Sequence, residues 1–223
     1  RLLFPDHSFS NLPFGLVYHQ GFLYTGNGWR INTKNLSRQK LFPDADREIG
    51  GVVSLDAKGV IWFGYGHRLY QYDTKKQTIQ GFRNKQGAWS ERLGEISFLH
   101  PGRNPDIMWL GTMDQGLYQL NAKTGKHKHF YTGKGSPVEV YPQRINCMYE
   151  DRRGNLWLGT DKGLQKINLK NFQNTTYGQS SGLSNDIVTA LLPEGDSCLW
   201  VSTYLGLNRL SIKGERFVHF MEQ

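Results

Sequence analysis

Three features are scarce in this chain, and each scarcity removes a class of reading. Cysteine occurs only twice in 223 residues, as Cys147 and Cys198. Two cysteines cannot frame a disulfide-stapled miniature fold. Both lie in apolar, strand-like segments, so two buried free thiols acting as small hydrophobes are expected, with one bridge between them as the alternative. Long apolar runs are missing, and nothing approaches the roughly 20 residues of a membrane helix; no membrane contact is expected from this segment itself. Helical periodicity is also missing, since no segment keeps one apolar face at helical spacing over several turns. Catalytic signatures do not appear either. There is no Gly-x-Ser-x-Gly elbow, no phosphate-binding loop and no His-Glu-x-x-His. No catalytic residue, metal or cofactor is therefore expected.

The residues that are present favour turns and strands. Glycine numbers 26, and Tyr, Phe and Trp together make up 13% of the chain. Many glycines with many aromatics suit turn-rich β structure. Hydrophobic residues at 38% and charged residues at 21% are ordinary for a soluble globular protein. The formal charge is +8. The basic residues are scattered, with the densest runs at Lys75-Lys76, Lys123 to Lys128 and Arg152-Arg153, and acidic residues are interspersed along the chain. This describes a solvated surface, and nucleic acid is not expected as a partner. The chain begins at Arg1 and shows no signal peptide, which leaves open both a mature secreted chain and an excised piece.

The main signal is internal repetition. The clearest copy runs from Ile145 to Tyr177, INCMYEDRRGNLWLGTDKGLQKINLKNFQNTTY. The segment from Val52 to Phe82 repeats its Asp-x-x-Gly-x-apolar-Trp pattern, with Asp56, Gly59 and Trp62 matching Asp151, Gly154 and Trp157. A third copy, Ile96 to Phe130, has a lengthened first turn but keeps Trp109-Leu110-Gly111-Thr112. A fourth, Ile187 to Phe220, keeps Trp200, Thr203 and Gly206-Leu207. A fainter copy from Phe14 to Phe42 comes first, with Tyr24 in the tryptophan place. The in-phase tryptophans are spaced 47, 48 and 43 residues apart. Such periods suit four-stranded propeller blades.

Each copy reads as four strands. In the clearest one they are Ile145 to Glu150, Leu156 to Thr160, Leu164 to Leu169 and Phe172 to Tyr177, named A to D. Asp151 is placed to cap backbone donors in the A–B turn, Gly154 supplies a positive φ there, and Asp161-Lys162-Gly163 turns B into C. A four-stranded sheet with two apolar faces cannot bury both alone, and radial stacking buries both. The expected fold is an all-β β-propeller of four-stranded antiparallel blades, about five being present, over approximately 8–42, 49–82, 95–130, 144–177 and 186–220. Arg1 to Phe4 resemble a last strand D, so a longer blade array is expected.

Function should lie where the repeat varies. In an antiparallel sheet the D–A and B–C connectors share one end, and the D–A connectors are long: Arg83 to Gly94, Thr132 to Arg144 and Gly178 to Asp186. Long loops on a rigid scaffold are the usual place for binding. The ligand-binding candidates there are Trp89, Arg92, Tyr141, Arg144 and Asp186, with Trp29, Arg30, Tyr65, His67, Asp114, Asp161 and Tyr204 on the B–C side. Aromatic faces stack on sugar rings, and Arg and Asp hydrogen-bond hydroxyl or acidic groups. Trp62, Trp109, Trp157 and Trp200 are expected to be structural. His127 and His129 point to one face of a strand D, a spacing open to metal, but an outer, solvated strand is the plainer reading. Ser54 to Gly59 resembles a sialidase Asp-box turn, with one residue too many and no arginine triad.

The motif EDRRGNLWLGTDKGLQKIN, led in by Arg144-Ile145-Asn146, resembles the two-component regulator propeller repeat, as does Gly182-Leu183-Ser184-Asn185-Asp186-Ile187-Val188. The resemblance implies the periplasmic or extracellular sensor region of a hybrid histidine kinase, with the kinase elsewhere in a parent polypeptide. It implies an oligosaccharide ligand, the other domains of the parent as partners, and a homodimer formed through that parent. Two other classes stand beside this one. One is a protein-binding assembly or secretion scaffold. The other is a propeller lyase, for which His67 is the candidate base.

Overall fold

The computed structural model describes residues 15–42, 51–82, 94–131, 135–136, 138–140 and 144–220. Arg1 to Phe4, Trp89, Arg92 and Tyr141 lie outside these residues. Two compact units divide the chain at Phe82 and Arg83.

The first unit holds two four-stranded sheets. One is built from β1 (Leu16–His19), β2 (Phe22–Thr25), β3 (Trp29–Asn32) and β4 (Arg38–Lys40). The other is β5 (Val52–Leu55), β6 (Val60–Tyr65), β7 (Arg68–Asp73) and β8 (Thr78–Gly81). Tyr24 and Leu41 of the first pack on Ile61, Phe63 and Tyr72 of the second.

The second unit holds three sheets of the same plan. The third sheet is β9 (Ile96–Pro101), β10 (Ile107–Thr112), β11 (Leu117–Asn121) and β12 (His127–Phe130). The fourth is β13 (Ile145–Glu150), β14 (Asn155–Thr160), β15 (Gly163–Asn168) and β16 (Asn174–Tyr177). The fifth is β17 (Val188–Glu194), β18 (Cys198–Thr203), β19 (Gly206–Ser211) and β20 (Arg216–Phe220). Every sheet pairs its strands antiparallel in chain order. Among the described residues the one helical element is a 3-10 turn, Gln179–Ser181.

The turns form for the reasons the repeat suggests. Asp151 Oδ1 accepts the backbone N–H groups of Arg153 and Asn155, both at 2.9 Å, and Gly154 takes a φ of 78°. Asp56 and Gly59 repeat this in the second sheet. The B–C turn differs from expectation. Its cap is the threonine closing strand B rather than the aspartate after it. Thr160 Oγ1 accepts from Lys162 N and donates to Gly163 O, while Thr112 and Thr203 each donate to the matching glycine carbonyl. A hydroxyl can do both, and a carboxylate can only accept.

Successive sheets of the second unit pack face to face, and one set of three residues recurs at each contact. It comprises the strand-B tryptophan, a leucine of strand C and an aromatic near the end of strand D. In the third sheet Trp109, Leu117 and Phe130 are 1% exposed, covered by Ile145, Met148, Leu156, Leu158 and Ile167 of the fourth. In the fourth Trp157, Leu164 and Tyr177 are 0–4% exposed, covered by Val188, Leu199, Val201, Leu210 and Ile212 of the fifth. Each such side chain contributes about 1.5–3 kcal/mol on full burial. Gly111 and Gly159 make the contact possible. A Cβ on Gly111 would lie 2.8–2.9 Å from Met148 and Ile145, and one on Gly159 2.3–2.6 Å from Cys147 and Val188. Cys147 and Cys198 are buried free thiols. Burial pushes the Cys147 thiol up to about 12.

Candidate functional site

Strand A carries an extra residue near its start in all three sheets of the second unit. The register shifts leave Ser97, Asn146 and Thr189 without a partner on strand B. Such a bulge re-aims the side chain. Ser97 Oγ donates to the carbonyl of Ile145, at 2.7 Å. Asn146 Nδ2 likewise donates to the carbonyl of Val188, at 3.0 Å, and to Asp161 Oδ1 at 2.7 Å. One amide therefore ties the B–C turn of the fourth sheet to the first strand of the fifth, which places the two sheets' loops at a common end.

At that end Asp161 is exposed, Asp186 is half-buried, and Tyr204 is 74% exposed at the tip of a two-residue turn. The Tyr204 N–H donates to the Ile187 carbonyl at 3.0 Å. Ile187 and Leu205, 38% and 57% exposed, flank it. The connector beneath is held rigidly. Asp186 Oδ1 accepts the Gln179 N–H at 2.8 Å, and Gly182 turns with a φ of 95°. Ser184 N donates to Asn208 Oδ1, and Asn208 Nδ2 donates to Ser184 Oγ and the Val201 carbonyl. The His219 ring bonds the Gly182 carbonyl. An exposed aromatic ring is thus presented beside acceptors on a fixed loop.

The other residues singled out in the sequence fall into different settings. Arg144 is half-buried just before β13. Asp114 is exposed and accepts from Gln115 Nε2 at 3.3 Å. In the first unit His67 is exposed in a two-residue turn, while Tyr65 is half-buried and stacks on Phe42 with ring centroids 6.5 Å apart. Trp29 and Arg30 lie in β3 rather than in a loop. The Arg30 guanidinium sits 3.7 Å from the Phe22 ring centroid and donates to Gln39 and Gln77. Arg38 and Lys40 lie over the Trp29 ring, at 5.3 and 5.0 Å. These contacts hold both side chains in the scaffold. His127 and His129 are half-buried on the face that carries Tyr118, and the His129 and Tyr118 rings stack 4.0 Å apart. Among the described residues, no three His, Cys, Asp or Glu side chains gather to hold a metal.

Asn146, Ile187 and Leu205 were not singled out in the sequence. Asn146 was legible only as part of a lead-in, because a bulge is invisible to alternation counts. Ile187 and Leu205 read as core residues by type, and only the sheet's position exposes them.

Comparison with known proteins agrees with the repeat. Residues 142–162 match the family model described as "Two component regulator propeller". Histidine kinase P4 of Formosa agariphila is 24% identical over 103 residues, covering 46% of this chain and 7% of the kinase. The solved extracellular domain assigned to a hybrid two component system of B. thetaiotaomicron superposes with a TM-score of 0.75 over 95% of this chain and 30% of its own, at 18% identity. A surface component of the type-IX secretion system of Porphyromonas gingivalis, PorZ, superposes at 0.63 over 92% of this chain and 33% of its own, also at 18% identity. This chain therefore spans under a tenth of the kinase and about a third of each solved neighbour. The fold is an all-β propeller type with five four-stranded blades described, and its repeat resembles the two-component regulator propeller. Among the described residues no helix is long and apolar enough to cross a membrane.

Proposed function

We propose that this chain is a non-catalytic recognition propeller from the periplasmic or extracellular sensor region of a two-component signalling protein, and that it detects an oligosaccharide. The observation that carries this reading is the loop end of the fourth and fifth sheets. Tyr204 stands 74% exposed on a braced turn, beside the Asn146–Asp161 pair and Asp186. A sugar ring offers an apolar face to an aromatic ring and hydroxyl donors to carboxylates. The family match and the likeness to extracellular domains of two-component systems support the sensor assignment. Binding acts on the parent protein, a homodimer in this reading, by favouring one packing of its domains over another. It does so only to the extent that affinity differs between the two states.

Isothermal calorimetry against neutral and acidic oligosaccharides tests this. Binding is expected, and Tyr204→Ala is expected to weaken it about tenfold or more while leaving the melting temperature unchanged, since the ring packs against little. No binding across both glycan classes, or equal binding by Tyr204→Ala, refutes the reading. A scaffold that binds a protein is the second reading, favoured by the likeness to PorZ. Pull-down of a stable protein partner, without glycan binding, would select it.

A further inference from the structure

The first unit holds a half-buried cation whose partners are all neutral. Arg30 is paired with Tyr24 in register, so its side chain enters the seam between the first two sheets, on the side that meets Ile61, Phe63 and Tyr72. The guanidinium carbon lies 3.7 Å from the Phe22 ring centroid. Nη1 donates to Gln39 Oε1 and to Gln77 Oε1, both at 3.4 Å, which is long for such a bond. Burial raises the Tyr24 and Tyr72 phenols above their ordinary titration value, and the nearby Arg30 charge opposes that rise at both. Among the described residues no carboxylate pairs with Arg30. Asp73, next to Tyr72, is committed to its own turn. Its Oδ1 accepts the Lys75 and Lys76 N–H groups at 2.9 and 3.0 Å, and its Oδ2 lies 3.7 Å from Lys76 Nζ. An arginine keeps its charge, and a charge drawn into a protein is ordinarily paired.

A second observation is independent of the charge. Arg30 Nε is buried and donates to no acceptor. A buried donor of this kind is where an ion or an ordered water is expected. Nε and Nη2 form one of the edges by which arginine grips an oxyanion with two parallel bonds, and both glutamine bonds leave from Nη1 instead. The surroundings suit an oxyanion. The Tyr24 and Tyr72 hydroxyls can donate to it. Gln39 and Gln77 are exposed, and turning either amide end for end offers Nε2 in place of Oε1. Lys75 and Lys76, exposed on the turn that carries Gln77, add positive potential.

We propose that the seam between the first and second sheets holds an oxyanion subsite built on Arg30, which takes a carboxylate or sulfate group, either as a free ion or carried on an acidic saccharide. The guanidinium grips the anion, the Tyr24 and Tyr72 hydroxyls line it, and Gln39 and Gln77 form a cover that the anion displaces. The subsite belongs to the first unit and does not rest on the Tyr204 reading. Its chemistry is also the opposite one, since Asp161 and Asp186 beside Tyr204 are acceptors that repel an anion.

Calorimetric titration of the full chain with sodium sulfate, sodium glucuronate and uncharged glucose, at matched ionic strength in chloride, tests this. Binding of sulfate, of glucuronate or of both is expected. Sulfate alone identifies a free inorganic ion as the source of the group, and glucuronate alone identifies the acid of a saccharide. Gln77→Glu sets a carboxylate against the guanidinium and is expected to weaken anion binding by at least about tenfold. Gln80→Glu makes the same charge change on the side of β8 turned away from the seam, and is expected to alter binding by less than about twofold once salt screens it. Both glutamines are exposed, so neither variant threatens the fold. Each titration is repeated with Tyr204→Ala, and anion binding is expected to survive it unchanged. Four results overturn the proposal: no binding of either anion, glucose bound as tightly as glucuronate, equal effects of Gln77→Glu and Gln80→Glu, or anion binding lost with Tyr204→Ala. The last would place the anion at the Tyr204 loops, and the first three leave the Tyr204 reading to its own test.

Discussion

The indole N–H of Trp157 donates to Oδ2 of Asp151 at 3.0 Å, joining the turn residue to the strand-B tryptophan it precedes by six positions. Asp56 and Trp62 make the same bond at 2.8 Å. In the third sheet the A–B turn is lengthened and has no aspartate at this place. Trp109 donates instead to Glu150 Oε2 of the fourth sheet, at 3.1 Å. The Asp-x-x-Gly-x-apolar-Trp spacing is thus one device. Its first oxygen closes the turn and its second satisfies a buried indole donor.

Asp151→Ala is expected to destabilise the chain by about 2–4 kcal/mol, because it leaves a buried indole N–H and backbone donors unpaired. Asp151→Asn should cost less, since an amide oxygen still accepts. Chemical denaturation of the two variants checks the order.

The same carboxylate predicts an acid limb. Burial alone would raise its titration point, but hydrogen bonds from Asn155, Trp157 and Arg153 outweigh burial and hold it below the ordinary carboxylate range. A group depressed in the folded state gives stability that is full above the unfolded value and is lost as pH falls through the folded one. Asp151→Asn should therefore flatten the dependence of stability on pH in the acid range, measured by urea titrations at stepped pH.

His100 adds a loss at milder acidity. Burial lowers its ring to about 4 from an ordinary 6.5. Below 6.5 the unfolded chain takes up a proton that the folded chain refuses, so stability falls from about pH 6.5 down to about 4, by at most about 3 kcal/mol. His100→Gln removes the titrating ring and should abolish that slope. An unchanged slope would show that other groups cause it.

Gly159→Ala and Gly154→Ala separate two uses of glycine. At Gly159 the added methyl meets Cys147 Sγ and Val188, and overpacking should cost about 1–3 kcal/mol. At Gly154 nothing lies within 4 Å, but φ is 78°, so a cost of about 1 kcal/mol is expected from backbone conformation alone. Cys147→Ala should relieve part of the first cost and none of the second.

Cys147, held up at about 12 and buried, should not react with a thiol reagent at pH 8 in the native state. Its modification should follow global unfolding. Rapid labelling under native conditions would place it in a locally opening strand.

The strands were legible in the sequence because their determinants are local. Trp62, Trp109, Trp157 and Trp200 keep phase with turn glycines, and alternation fixes which side chains share a face. The clearest repeat read strand A as it stands, and it read strand D two residues early because Phe172 and Gln173 belong to the turn. The site was less legible. Trp29 and Arg30 looked like loop residues, yet pairing carries them into β3. Asn146 looked like an ordinary strand residue until a bulge turned its amide to Asp161.

The sequence alone determined the repeat, its A–B turns and which side chains of each strand share a face, because these depend on residues a few positions apart. Tertiary structure decided which of several equivalent residues remain open. Trp157 and Trp200 are alike in sequence, and so are Leu164 and Leu207, but burial belongs to a pair of sheets rather than to one. Within the second unit the fifth sheet covers the tryptophan face of the fourth, whereas Leu207 and Phe220 on the matching face of the fifth are 40% and 49% exposed.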